Sequence, residues 1–442
     1  MITRFVVFSF LFMLKWALII GGILIILAAI RHEYRQRKIL LKLRLRMHGC
    51  AVGIVFGKTP WRLVCSEERD FQHVLSCGGS GSGKTSSVLI PTLKAWRGMA
   101  FVIDISGDTE KNTNVSGKTI YNPENEDTTP YSVFAAVDSA ATIAEKNESL
   151  QQLSFALIPP AQGDSDVTVF YKGEARKMCF SALVAYYHSG LDFIQICKKI
   201  VGLSYETLIA DLNASANELA MRLVAGFKEV NERILASIKS ELDNAVLLFA
   251  TNPNMERTIR RGTDAVSPQV LEKRSVYIVI ADTKLKIYAP LFRLITEQIL
   301  THLSGRENGK QPPILICLDE FASLGKIDIL DALRKLRKKN VRVLICTQSL
   351  ADLDLTYGQI ERRAIIDNIP YKVVLSANEY ETQQYFSNLA GERTVILENG
   401  IECRRKVIPP EDFARLKNHL ILLHPGGVTR LKKNFYFKKW IF

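Results

Sequence analysis

The stretch CGGSGSGKTSS, residues 77–87, has the residue types and the spacing of a phosphate-binding loop. Gly78, Gly83, Lys84 and Thr85 fit the pattern G-x-x-x-x-G-K-[ST], in which small residues let backbone N–H groups surround phosphate oxygens. In this pattern the lysine contacts the β- and γ-phosphates of ATP, and the threonine hydroxyl binds Mg²⁺. The residues expected to hold the nucleotide are Gly78, Gly79, Ser80, Gly81, Ser82, Gly83, Lys84 and Thr85.

A second candidate element is ILICLDEF, an apolar run that ends in Asp319 and Glu320. A phosphate loop needs one carboxylate that holds the metal ion and another that activates the attacking water. We therefore expect Asp319 to bind Mg²⁺ through water and Glu320 to act as the general base. The next apolar run, VRVLICTQS, ends in Gln348, which is expected to sense the γ-phosphate, although an ordinary strand-end glutamine is the alternative.

Between these two runs lies RKLRKKNVR, residues 334–342, which carries six positive charges. An arginine of this run could reach the nucleotide of a neighbouring subunit, and its lysines could contact a phosphate backbone. A solvated helix face is the simpler explanation of such a run. The sequence of this run alone does not distinguish contact with a neighbouring nucleotide, contact with a phosphate backbone and a solvated helix face.

The elements that must position these residues alternate between strands and helices. Short apolar runs predict buried parallel strands at residues 73–77, 99–104, 275–282, 314–320, 341–348 and 371–376. A helix is expected after the glycine loop, near Lys84, and another at residues 291–303, where leucine and isoleucine recur at helical spacing. This alternation predicts an α/β fold with a mainly parallel sheet.

Lys84 and Asp319 are 235 positions apart (319 − 84), which is more than one or two strand–helix units require. Between residues 139 and 250 the strand runs disappear and helical periodicity takes over, as in Phe227, Val230 and Ile234. We therefore predict an all-helical insertion at 139–262. It separates a first part of the nucleotide-binding domain at 61–138 from a second part at 263–442.

The N-terminal segment is apolar from residue 5 to residue 30 except for Ser9, Lys15 and two glycines. A helix of this length extends about 39 Å, enough to cross a bilayer. Seven basic residues follow between 31 and 46, so the positive-inside rule places the remainder of the chain in the cytoplasm. We predict a single transmembrane anchor at 1–30 and a basic connector at 31–60. A cleaved signal peptide is the alternative, but its charges would precede the apolar run.

The composition indicates a basic protein whose cysteines are reduced. The chain has 58 Lys and Arg against 45 Asp and Glu, a formal net charge of +13, which indicates a polyanionic partner such as nucleic acid or an anionic lipid surface. The eight cysteines show no paired or Cys/His ligand spacing. We interpret them as reduced thiols and not as a disulfide frame or a zinc site.

Taken together, these stretches resemble the type IV secretion coupling proteins of bacterial conjugation, the TraG/TraD-like ATPases. The most specific are LDEFASLGKID at 318–328, RKKNVRVLICTQSLADLDLTYG at 337–358 and ETQQYFSNLAGERTV at 381–395. The resemblance implies homo-hexamers at the bacterial inner membrane that hydrolyse ATP and pass a relaxase-bound DNA strand, or protein effectors, to a secretion channel. The DNA is expected to be single-stranded and bound without sequence preference. The resemblance also implies a RecA-like P-loop NTPase core. It further implies that Arg337 is a trans-acting arginine finger and that the helical insertion receives cargo.

The chain departs from that family in two places. Many relatives have two spans that flank a small periplasmic domain, whereas this sequence has one apolar stretch, and DISGD at 104–108 stands where relatives have Asp-Pro-Lys-Gly-Glu. Two other functions remain open: a membrane-anchored DNA translocase outside conjugation, and a secretion scaffold that the nucleotide holds together. The two motors predict DNA-stimulated hydrolysis, whereas the scaffold predicts assembly that survives the loss of Glu320.

Overall fold

A computed structural model describes residues 20–28, 31, 44–46, 53–60, 62–66, 71–113, 117–160, 165–262, 264–396 and 401–438. Residues 20–28 are helical. In this described part of the chain no helix is both long enough and apolar enough to cross a membrane. The rest of the predicted anchor at 1–30 lies outside the described residues.

The strands of the described chain belong to a 12-stranded sheet and a separate two-stranded pair. In chain order they are β1 (Arg44–Arg46), β2 (Val55–Lys58), β3 (Leu63–Cys65), β4 (Val74–Cys77), β5 (Met99–Asp104), β6 (Thr119–Tyr121), β7 (Val276–Val279), β8 (Ile314–Leu318), β9 (Val341–Thr347), β10 (Tyr371–Val374), β11 (Glu392–Ile396), β12 (Glu402–Lys406), β13 (His419–His424) and β14 (Gly427–Lys432). The separate pair is β11–β12.

The large sheet is mainly parallel. Its neighbouring strands follow the order β1-β3-β2-β14-β13-β10-β4-β9-β8-β5-β7-β6. The strands from β10 to β6 are parallel to one another, and the five strands beyond β10 continue the sheet in antiparallel pairs. Every residue of β4, β8 and β9 is buried, as expected for parallel strands covered on both faces. The carboxyl ends of these three neighbours therefore meet at one edge of the sheet.

Helices cover the sheet and form a separate group between β6 and β7. In chain order they are α1 (Ile90–Ala95), α2 (Asp108–Asn112), α3 (Ala135–Ser139), α4 (Ile143–Leu157), α5 (Asp166–His188), α6 (Phe193–Gly202), α7 (Tyr205–Asn213), α8 (Glu218–Val224), α9 (Glu232–Thr251), α10 (Pro253–Thr258), α11 (Leu285–Ser304), α12 (Ile329–Leu336), α13 (Leu350–Asp367) and α14 (Tyr380–Ala390).

Helices α3 to α10 follow one another without a strand in the described residues between β6 and β7. Helix α9 packs against α5 and α6. At the contact with α6, the rings of Phe249 and Phe193 meet edge to face with centroids 5.1 Å apart, a favoured aromatic geometry. Helix α4 begins with a capping box, in which Thr142 and Glu145 satisfy each other's backbone N–H groups. Helices α4 to α10 lie within the segment 139–262 that is predicted to be helical, whereas α3 begins four residues before it. The predicted domain limits stay predictions.

The predicted α/β fold with a mainly parallel sheet is confirmed. Each of the six predicted strands occurs, with ends that differ by up to three residues, and the helix predicted at 291–303 is part of α11. Strands β1 and β2 lie within residues 31–60, where the sequence predicts a connector. Both strands join the large sheet.

Candidate nucleotide-binding site

The glycine-rich stretch connects β4 to the first helix. Strand β4 leads into a loop at residues 78–83, which is followed by Lys84, a π-helical turn at Thr85–Leu89 and then α1. Gly81 and Gly83 have φ angles of +71° and +98°, in the left-handed region where a side chain costs about 1–2 kcal/mol. A Cβ at Gly78 would lie 2.5 Å from the Ser82 Oγ, so glycine allows the loop to close on itself.

Two residues that the sequence analysis did not single out hold this loop from outside. Its tip, Ser80 and Gly81, is exposed. The N–H of Gly79 donates to the Ser376 Oγ at 3.2 Å, and the Lys433 Nζ donates to the carbonyl oxygen of Ser82 at 2.7 Å. Ser376 ends one of the predicted strands, which is a usable signal, whereas no motif marks Lys433.

The Lys84 side chain is buried beside the loop. Its Nζ donates to the carbonyl oxygen of Gly78 at 2.7 Å and forms an ion pair with the Glu320 Oε1 at 3.2 Å. The lysine side chain is only 5% exposed. The ammonium group is therefore held at the mouth of the loop by one carbonyl and one carboxylate, where phosphate oxygens could replace the carboxylate.

Thr85 and Asp319 meet across 234 positions of sequence, with the Thr85 Oγ1 donating to the Asp319 Oδ2 at 3.2 Å. Asp319 is 4% exposed, and its Oδ1 has no hydrogen-bond partner among the described residues. Burial, reinforced by the neighbouring Glu320, raises the pKa of Asp319 to about 6, against the opposing effects of Lys84 and Thr85. An unpaired, buried carboxylate oxygen next to a hydroxyl provides the hard oxygen donors that Mg²⁺ prefers, so these residues fit the predicted metal.

Glu320 and Gln348 complete the cluster. The Gln348 Nε2 donates to the Glu320 Oε2 at 3.2 Å, because β9 lies between β4 and β8 and ends beside the acidic pair. Glu320 has a φ angle of 48°, an uncommon backbone conformation for a residue other than glycine and one that is often found at active sites. This turn directs the carboxylate to Lys84 on one side and to Gln348 on the other.

The structure does not bring Arg337 into this cluster. Arg337 is exposed before the start of β9, where its NH1 donates to the Gln72 Oε1 at 3.4 Å, at the amino end of the parallel strands. The basic run around it is not uniform. Arg334 and Lys338 are exposed, whereas Arg342 is fully buried and donates to the Ser66 Oγ. Because its side chain is not exposed, Arg342 cannot contact DNA or a neighbouring subunit.

The structure thus gathers Lys84, Thr85, Asp319, Glu320 and Gln348 at the carboxyl edge of the sheet. The arrangement combines a backbone loop with the buried Lys84 ammonium and a candidate metal-binding carboxylate, Asp319. A second carboxylate, Glu320, is oriented by the side-chain amide of Gln348. These are the parts that phosphoryl transfer to water requires. The catalytic roles of the individual residues stay predictions.

Comparisons with known proteins identify relatives of this chain. The family described as Type IV secretory system Conjugative DNA transfer matches residues 28–406. The chain is 25% identical to the protein VirD4 of Rhizobium rhizogenes, over 77% of this chain and 53% of that protein. It is 24% identical to a probable conjugal transfer protein TraG of Sinorhizobium fredii, over 77% of this chain and 55% of that protein.

The fold is also similar to solved structures of the bacterial conjugative coupling protein TrwB. A form in complex with sulphate superposes with a TM-score of 0.74 at 19% identity, covering 91% of this chain and 94% of that chain. A complex of TrwB with ADP and Mg²⁺ gives a TM-score of 0.73 at 17% identity, covering 90% and 92%. The chain spans about half the length of the curated relatives that it matches. Because the family match covers most of the sequence, the chain belongs to the type IV secretory system conjugative DNA transfer family.

Proposed function

We propose that this protein is an ATPase coupling protein, which recruits DNA with its relaxase, or protein effectors, and drives their transfer through a type IV secretion channel. Family membership supports the biological setting. The observation that carries the ATPase assignment is the pair of contacts Lys84–Glu320 and Thr85–Asp319, which join the phosphate loop to the acidic strand end. The solved complexes of TrwB with ADP and Mg²⁺, and with an ATP analogue, support nucleotide binding on the same fold.

In this proposal the loop residues 78–85 bind the phosphates through their N–H groups, and Lys84 leaves Glu320 for the β- and γ-phosphate oxygens. Thr85 and Asp319 would hold Mg²⁺, which neutralises charge on the phosphates when it is bound. Release of Lys84 frees the Glu320 carboxylate to accept a proton from the attacking water. Gln348 keeps its hydrogen bond to the other carboxylate oxygen and so fixes the orientation of the base.

Assembly and cargo follow from the same proposal. A homo-hexamer would place Arg337 of one subunit at the nucleotide of the next, because Arg337 lies at the edge of the sheet opposite its own site. The net charge of +13 favours a polyanion, and the resemblance favours single-stranded DNA bound without sequence preference. The helical group α3–α10 would receive cargo.

The proposal also includes a single membrane anchor at residues 1–30, which leaves the bulk of the chain on the cytoplasmic face of the inner membrane. The apolar run and the seven basic residues that follow it support this orientation. Deletion of residues 1–30 should give a protein that still binds ATP but partitions into the soluble fraction and fails in DNA transfer. Full-length protein in the soluble fraction without detergent would contradict the anchor.

Glu320→Gln tests the proposed activity. The variant keeps the shape of the side chain and loses its basicity, so ATP binding should persist while hydrolysis falls by about 10²–10⁴-fold. Glu307→Gln, at an exposed glutamate paired with Lys310, is the matched control. The measurements are ATP turnover of full-length protein in detergent, with and without single-stranded DNA, and complementation of conjugation. Transfer at the wild-type level by Glu320→Gln would favour the scaffold over the motor.

A further inference from the structure

The antiparallel pair β11–β12, called the basic hairpin here, is exposed on both faces. None of its ten residues is buried. It contains four basic and two acidic residues, in the segments ERTVI and ECRRK. It contacts α14 through β12, where the Lys406 Nζ donates to the Asn388 Oδ1 at 3.1 Å. A two-stranded hairpin with no buried residue is marginally stable at best in water. Its exposure and charge therefore indicate a partner outside the described part of the chain.

The register of the hairpin places two arginines against each other. Arg393 lies directly opposite Arg405, and like charges at opposed positions destabilise an antiparallel pair. The neighbouring pair, Glu392 and Lys406, forms an ion pair at 2.9 Å. Within the described residues neither arginine side chain has a hydrogen-bond or ion-pair partner, and both residues are exposed. An anion between the two guanidinium groups would remove their repulsion and would accept several charge-assisted hydrogen bonds.

A cavity of about 490 Å³ lies where the hairpin returns to the large sheet. Val407 and Ile408, which directly follow β12, line it together with Asp412 and the exposed Arg415 and Arg430. The volume is within the range of sites that bind small ligands, roughly 300–1,000 Å³. The two arginines extend the positive charge of the hairpin to its base.

One helix links the hairpin to the candidate nucleotide site. Ser376, which accepts the N–H of Gly79 in the phosphate loop, lies four positions before the start of α14 (380 − 376). Strand β11 begins two positions after α14 ends (392 − 390). The Ser387 Oγ of α14 donates to the carbonyl oxygen of Ile408 at 2.7 Å, which ties the helix to the cavity at the base of the hairpin.

We propose that the basic hairpin and the cavity at its base contact the phosphate backbone of single-stranded DNA. This inference rests on the proposed function and assigns a surface to it. The same hairpin of a second copy carries the same excess of basic residues and would be repelled by it, whereas a polyanion is complementary to the surface. The ten hairpin residues include no aromatic side chain, so the contact supplies charge and no base stacking, and it is independent of sequence.

The test compares the full-length wild type, the double variant Arg393→Ala/Arg405→Ala and a matched control, Lys273→Ala/Arg274→Ala. The control removes the same charge from two exposed residues that precede β7. Binding of a labelled single-stranded oligonucleotide of mixed sequence is measured at several salt concentrations. Loss of two phosphate contacts should make the negative slope of log K against log salt shallower by about 1.4. This change corresponds to about 25-fold weaker binding at about 0.1 M salt. Arg393→Lys/Arg405→Lys should restore most of the slope, since lysine also binds phosphate.

The outcomes separate this inference from the proposed function. Removal of the opposed arginines relieves repulsion, so the double variant should unfold at a denaturant concentration no lower than that of the wild type. Weaker DNA binding then reports lost contact and not unfolding. If the wild type binds DNA and the double variant keeps the same salt slope, the hairpin inference is wrong while the proposed function stands. If the wild type does not bind DNA, the hairpin inference is wrong and so is DNA as the cargo in the proposed function, whereas ATP turnover tests the motor separately. Loss of binding to anionic vesicles with unchanged DNA binding would assign the hairpin to the membrane surface instead.

Discussion

Arg337 is expected to act on the nucleotide of a neighbouring subunit and not on its own. It precedes β9 at the amino end of the strand, whereas Gln348 follows the carboxyl end beside Glu320. A strand of seven residues at about 3.3 Å per residue separates its two ends by roughly 20 Å, which no arginine side chain spans. Any catalytic effect of Arg337 therefore requires an assembled ring.

The size of the expected effect separates a finger from a surface residue. An arginine finger contributes about 10³–10⁵ to the rate of phosphoryl transfer, or about 4–7 kcal/mol of transition-state stabilisation. Arg337→Ala should lower DNA-stimulated ATP hydrolysis by at least about 10³-fold and leave nucleotide affinity nearly unchanged. Arg337→Lys should recover little, because the planar fork is lost. Arg334→Ala, at an exposed arginine three positions earlier, is the matched control and should hydrolyse ATP like the wild type.

The decisive assay mixes Arg337→Ala subunits with Lys84→Ala subunits and measures ATP turnover. A finger in trans restores hydrolysis wherever an intact arginine faces an intact phosphate loop. With random mixing in a ring at equal amounts, about one quarter of the interfaces meet this condition, although each variant alone is inactive. Mixtures that stay inactive at every ratio, while wild-type rings hydrolyse ATP, would refute the trans assignment and return Arg337 to the basic surface.

Two further predictions follow. Lys84→Ala should abolish ATP hydrolysis and DNA transfer, because the β- and γ-phosphates lose the cation that Gly78 and Glu320 hold beside the loop. Turnover assays and conjugation frequencies measure the effect, and turnover at the wild-type rate would contradict the prediction. Burial raises the pKa of Glu297 to about 7 from 4.5, so the stability that its protonated form contributes is complete below pH 4.5 and is lost as the pH rises through about 7. Glu297→Gln stays neutral and should gain up to about 3 kcal/mol of unfolding free energy relative to the wild type between about pH 5 and about pH 8; a pH-independent difference in denaturant unfolding would disprove this.

The parts of the fold that the sequence predicts are those with a strong local signal. Strands β4, β5, β7, β8, β9 and β10 are short apolar runs, because a parallel strand covered on both faces has no polar face. The antiparallel strands β13 and β14 were not predicted. The sequence of β14, GVTRLK with its exposed Arg430 and buried Leu431, has no continuous apolar run. Strand β13, HLILLH, does contain one, at residues 420–423, but this segment is not among the predicted strands. Whether a segment such as β14 forms a strand depends on the strand with which it pairs more than on its own sequence pattern.

The same distinction applies to the site. The side chains that carry charge or bind metal, such as Lys84 and Asp319, lie in motifs and were predicted from the residues. The residues that hold the loop were not, because Ser376 and Lys433 act through single hydrogen bonds from segments 297 and 351 positions away. A single hydrogen bond between distant segments requires no particular residue types next to either partner, so no sequence motif predicts it. Only the sheet, which brings these segments next to the loop, shows the contacts.

Strand order explains why the site forms despite the helical group inserted between its halves. In a parallel sheet the residues that follow the strands all lie at one edge, so Lys84 and Asp319 reach that edge whatever is inserted between β6 and β7. Their separation along the edge depends on the order β4-β9-β8, which local sequence does not specify. Because β9 occupies the middle position, Gln348 is adjacent to Glu320, and the opposite end of the same strand carries Arg337 near the surface. One fully buried strand thus joins a subunit's own site to the residue proposed to serve its neighbour.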